Sequence, residues 1–95
     1  YPATINSREQ AEFAARVASR IFGADNVVTD ADPTMGGEDF SYMLQARPGA
    51  YAWIGQGGGP SGCFLHNPEY DFNDAILPLG AGFLAALVEE GLPLE

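Results

Sequence analysis

Ala50-Tyr51-Ala52-Trp53-Ile54 is apolar at every position, with Pro48-Gly49 before it and Gly55 after it. A short continuous apolar run closed by turn residues suits a strand buried on both faces. A strand of that kind needs helices to cover it. Reading this run as strand therefore puts the chain in the α/β class.

Working outward toward the N-terminus, Phe40, Met43 and Leu44 give one apolar helix face, which Arg47 and Pro48 stop. Met35-Gly36-Gly37-Glu38-Asp39 reads as a tight turn into that helix, with its acids where the helix dipole favours them. Asn26-Val27-Val28-Thr29 is a second strand candidate. Before it, Phe13, Val17 and Ile21 recur every four residues beside Ala14 and Ala18, with Arg8, Glu9, Glu12, Arg16 and Arg20 on the other face. This pattern predicts an amphipathic helix. A capping box from Asn6 or Ser7 to Glu9 or Gln10 starts it, and Gly23 ends it. Tyr1-Pro2-Ala3-Thr4-Ile5 leans to strand, with Pro2 keeping it off a central position.

Toward the C-terminus, the glycine-rich run from Gly55 to Gly62 reads as a flexible connector. Cys63-Phe64-Leu65 is a brief strand or an extended loop leading to His66. Asn73 caps the last helix, and Pro78 fits only its first turn, so the regular part starts near Leu77. Phe83, Leu84, Leu87 and Val88 are expected to pack inward, and Gly91 and Pro93 end the helix. The sum is about three helices and two or three short strands. So few strands do not make a sheet that can be covered on both faces, so a piece of a larger protein is expected. The last two residues, Leu94-Glu95, read as a tag remnant.

Ninety-five residues set the scale of one small domain. The 46% apolar share belongs to a globular chain rather than a disordered one. Four Arg and no Lys against thirteen Asp and Glu leave a net charge of −9, a surface that repels phosphate backbones and excludes nucleic acid as a partner. A single cysteine, Cys63, cannot close an internal disulfide, which fits a cytoplasmic protein. No apolar run reaches membrane-spanning length, so no membrane is expected.

The chemistry gathers in two places. His66 is the only histidine, and imidazole is the side chain suited to acid–base work or metal ligation near neutral pH. Glu69 and Asp71 follow closely enough to orient its ring. A lone histidine matches no ligand-spacing motif, however, and a loop histidine bonded to backbone is the simpler reading. At Gly36-Gly37-Glu38-Asp39, backbone N–H groups at a helix start can receive an anion such as a substrate carboxylate, and Glu38 can act as acid, base or orienting group. Spacing alone favours acids that merely complement the dipole. Gly57-Gly58-Gly59-Pro60 lacks the lysine of a phosphate loop, and Glu69, Asp71 and Asp74 do not form a calcium loop.

Taken in order, Met35-Gly36-Gly37-Glu38-Asp39-Phe40-Ser41-Tyr42, Pro48-Gly49-Ala50, Leu65-His66-Asn67-Pro68 and Tyr70-Asp71-Phe72-Asn73-Asp74 resemble the C-terminal part of metal-dependent amidohydrolases. These belong to the aminoacylase and carboxypeptidase-like zinc peptidase family, and the hippurate hydrolase and auxin-conjugate hydrolase branch is the most similar. The resemblance implies a fragment of an αβα sandwich: residues 1–6 lead from an inserted lid domain and residues 7–93 form the end of the catalytic domain. It implies cleavage of the amide bond of small N-acyl amino acids, with two divalent ions (zinc, manganese, cobalt or nickel) held in the whole enzyme. By that analogy His66 is the last metal ligand, and Gly36, Gly37 and Glu38 line the substrate pocket. The other ligands and the catalytic glutamate would lie upstream of this chain. The 95 residues alone are therefore expected to bind no catalytic metal and hydrolyse nothing. The competing readings are a non-catalytic α/β fragment that self-associates into a homo-oligomer, and an unrelated small domain.

Overall fold

The structure, a computed structural model, describes residues 1–57, 62 and 65–92. The connector residues Gly58, Gly59 and Pro60, the strand start Cys63-Phe64, and Pro93 with the tag reading of Leu94-Glu95 lie outside the described residues. Among the described residues there are three α-helices, α1 (Arg8–Phe22), α2 (Phe40–Ala46) and α3 (Leu77–Gly91), and no strand. Single 3-10 turns, Ala24–Asn26 and Asp74–Ile76, follow α1 and precede α3. The chain forms two compact units, Tyr1–Ala52 and Trp53–Glu95, each described by itself.

In the first unit α1 follows its sequence pattern. Val17, at the centre of the apolar stripe, is 1% exposed, and all five charged residues of the opposite face are exposed. The expected capping box does not form at Ser7, whose side chain makes no cap bond. Its Oγ instead accepts the Gly49 N–H at 3.1 Å, while the Ser7 N–H donates to the Gly49 carbonyl at 2.8 Å. Gly23 ends the helix at φ 90°, a region open to glycine and strained for other residues, and its N–H donates to the Ser19 carbonyl at 2.9 Å. α2 buries Ser41 and half-buries Phe40 and Leu44, whereas Met43, expected inside, is exposed.

The strand expectation for residues 50–54 is corrected, and Asn6 supplies the reason. Its Oδ1 accepts the Tyr51 N–H at 2.8 Å and its Nδ2 donates to the Tyr51 carbonyl at 3.2 Å. A side-chain amide thus stands where a neighbouring strand's peptide would, and Tyr51 is satisfied without a ladder. Nor is the run buried on both faces, since Trp53 is 71% exposed. Two of the other strand candidates, residues 1–5 and 26–29, also form no ladder among the described residues: Ile5 and Val28 are exposed, and Asn26 belongs to a 3-10 turn.

In the second unit Asn73 Oδ1 accepts the Ala75 N–H at 3.1 Å, capping the 3-10 turn that feeds α3, and Pro78 sits in the first turn of α3 as expected. Phe83 and Ala86 are buried, with Ile76, Gly80 and Leu87 half-buried along the same side. Leu84 and Val88, expected inside, are 64% and 60% exposed. The helix is apolar on nearly every side, so its sequence could not say which side faces in. Contact with residues outside α3 decides it. A Cβ on Gly80 would stand 3.4 Å from Ile54 Cδ1, so the missing side chain admits Ile54 there. No helix among the described residues is long and apolar enough to cross a membrane.

Candidate functional site

His66 is the one described non-glycine residue with positive φ, at 67°. This left-handed conformation is uncommon outside glycine and disfavours an L-residue by ~1–2 kcal/mol. The turn that follows shows how it is held. Asn67 Oδ1 accepts the Glu69 N–H at 2.8 Å and the Asn67 carbonyl accepts the Tyr70 N–H at 2.9 Å. Pro68 sits inside that turn, where its fixed φ suits the position after Asn67. The side chain of His66 is exposed, free to meet a partner from outside the turn.

Gln56 fastens the far end of this segment. Its Oε1 accepts both the Tyr70 hydroxyl at 3.1 Å and the Asn73 N–H at 3.2 Å, and its backbone carbonyl accepts Asn73 Nδ2 at 3.0 Å. A backbone N–H can only donate, so the oxygen of the Gln56 amide must face Asn73. Sequence reasoning passed over Gln56. The signal was a lone long polar side chain between Gly55 and Gly57, in a run otherwise read as featureless connector.

Glu38 lies in the first unit and is half-buried. Its carboxyl is held below the usual carboxylate range by a side-chain hydrogen bond with Asp39, then by the Tyr51 hydroxyl, then by the Phe40 N–H. The Tyr51 hydroxyl stands 3.1 Å from Glu38 Oε2, and the Phe40 N–H donates to Glu38 Oε1 at 3.4 Å. The Tyr51 ring also packs against Phe40, centroids 5.4 Å apart. The start of α2 is largely self-satisfied: the Ser41 N–H donates to the Glu38 carbonyl at 3.1 Å and the Tyr42 N–H to the Asp39 carbonyl at 3.0 Å. Gly36 and Gly37 are exposed ahead of it. Ser41 is fully buried, and its Oγ has no hydrogen-bond partner among the described residues.

A hydrolytic metal needs several protein donors and an open position. Among the described residues no group of three or more His, Cys, Asp or Glu could hold one. These residues do not make a metal centre by themselves. His66 offers one donor, and Glu38 is engaged with Asp39 and Tyr51.

A sequence model described as peptidase family M20/M25/M40 matches residues 1–90. The chain is 35% identical over 86 residues to a hippurate hydrolase of Campylobacter jejuni, a match covering 90% of this chain and 22% of that protein. It is 32% identical over 89 residues to an IAA-amino acid hydrolase of Arabidopsis thaliana, covering 92% of this chain and 20% of the relative. A thermostable carboxypeptidase of Saccharolobus solfataricus is 32% identical over 83 residues, covering 85% of this chain and 20% of the relative. The chain thus spans about a fifth of the length of these relatives. No solved structure matches it.

Proposed function

Because this chain belongs to the peptidase family M20/M25/M40, we propose that it serves as the C-terminal segment of a metal-dependent amidohydrolase acting on N-acyl amino acids. The carrying observation is the family match over residues 1–90, which takes in His66 and the Gly36-Gly37-Glu38 turn together. The names of the relatives, a hippurate hydrolase and an IAA-amino acid hydrolase, support a small amino acid conjugate as substrate. In this reading the segment belongs to an αβα sandwich. The apolar side chains left exposed, Leu84 and Val88 of α3 and Trp53 among them, are consistent with faces covered by further protein.

The chain's own part in the chemistry is small and specific. His66, held left-handed and exposed, contributes one imidazole nitrogen to a divalent ion. Divalent metals, when bound, supply Lewis acidity at the amide carbonyl. Gly36 and Gly37, exposed and without side chains, leave backbone accessible to substrate ahead of α2. Glu38 stays ionised there, orienting a positive or hydrogen-bond-donating group. One donor does not retain a metal, so the 95-residue chain alone hydrolyses nothing.

Calorimetric titration with zinc or manganese tests this on both lengths of protein. The full-length enzyme takes up metal and cleaves an N-acyl amino acid, its His66→Ala variant loses most of both, and the 95-residue chain shows neither. Unchanged turnover of His66→Ala at saturating metal defeats the assignment of His66.

A further inference from the structure

The geometry points to Gln56 as the positioning residue for His66, an inference that rests on the reading of His66 as a metal ligand. The chain leaves Gln56, passes through His66 and its turn, and returns to Gln56 at Tyr70 and again at Asn73. Gln56 Oε1 receives two donors and the Gln56 carbonyl a third, so both hydrogen-bonding oxygens of this residue hold the same returning segment. Tyr70 is also the residue whose N–H closes the Asn67 turn directly after His66. Asn73 in turn caps the 3-10 turn entering α3, so the clasp ties the His66 segment to the start of a fifteen-residue helix.

His66 is left-handed where the chain enters the Asn67 turn, and that turn is pinned at Gln56 through Tyr70. Ligand orientation by residues behind the donor typically changes metal affinity by roughly 10–100-fold. Gln56 acts here through backbone register rather than by touching the ring. Tyr70, Asn73 and Gln56 are all half-buried, where water competes less well for these bonds.

The test compares Gln56→Ala, which removes the side-chain acceptor, with Gln56→Glu, which keeps it, in the full-length enzyme titrated with zinc alone and assayed on an N-acyl amino acid. Gln56→Ala should weaken zinc binding by roughly tenfold and lower kcat with little change in KM, while Gln56→Glu stays within about threefold of the parent. Tyr70→Phe, which removes only the hydroxyl bonded to Gln56, should move zinc affinity in the same direction and serves if Gln56→Ala does not fold. Equal loss in Gln56→Ala and Gln56→Glu overturns the proposal, as does zinc affinity unchanged in both Gln56→Ala and Tyr70→Phe. His66→Ala is run alongside. If it leaves zinc binding intact, the ligand reading itself has failed. If it abolishes binding while the Gln56 variants bind normally, only the positioning role has.

Discussion

Removing the Asn6 amide should release Tyr51 in a way that depends on what replaces it. Asn6 exchanges two hydrogen bonds with the backbone of Tyr51, at 2.8 and 3.2 Å, across a sequence separation of 45 residues. Both bonds are solvent-exposed, so each lies at the low end of the ~0.5–1.5 kcal/mol net range, and together they contribute about 1 kcal/mol. The neighbouring Ser7–Gly49 bonds remain in the mutant, so the loss is local rather than global. Asn6→Ala should therefore lower the hydrogen-exchange protection of the Tyr51 amide about fivefold, since ~1.4 kcal/mol is tenfold. Asn6→Asp discriminates further: it keeps an acceptor for the Tyr51 N–H and loses only the donor to the Tyr51 carbonyl, so protection of the Tyr51 amide should fall less than in Asn6→Ala. A Tyr51 amide equally protected in the parent and in Asn6→Ala would refute the idea that this amide replaces a strand neighbour.

Three further outcomes follow from the same geometry. Tyr51→Phe removes one of the bonds holding Glu38 low, so the Glu38 pKa should rise toward the ordinary value in a carbon-detected NMR titration. Because that pKa is lowered on folding, Glu38 adds stability above its unfolded value that is lost as pH falls through the folded one, and Tyr51→Phe should shrink this acid-side dependence. His66→Gly should raise stability by about 1 kcal/mol in urea unfolding, because glycine enters the left-handed region without strain, while removing the imidazole; a destabilised His66→Gly contradicts the strain argument. Val17→Ala, at a fully buried site on α1, should lose about 2 kcal/mol in the same assay, whereas Leu84→Ala on the exposed side of α3 should change little. Equal losses at the two positions would show that burial does not separate them.

Local signals in the sequence were enough to determine the helices. The four-residue spacing of Phe13, Val17 and Ile21, the glycine at 23 and the proline at 78 each act within a turn or two of chain, and α1 and α3 end and begin where those residues put them. The ordered motifs around Gly36 and His66 were likewise enough to recognise the family, because several short patterns in series are specific even when each is weak. Which face of an all-round apolar helix turns inward, whether the run at 50–54 pairs as a strand, and that Gln56 clasps the His66 segment were decided only by tertiary structure. The last two depend on partners 17 to 45 residues away, as in the Gln56–Asn73 and Asn6–Tyr51 bonds, and the first on residues outside the helix. No local periodicity encodes a partner at that distance.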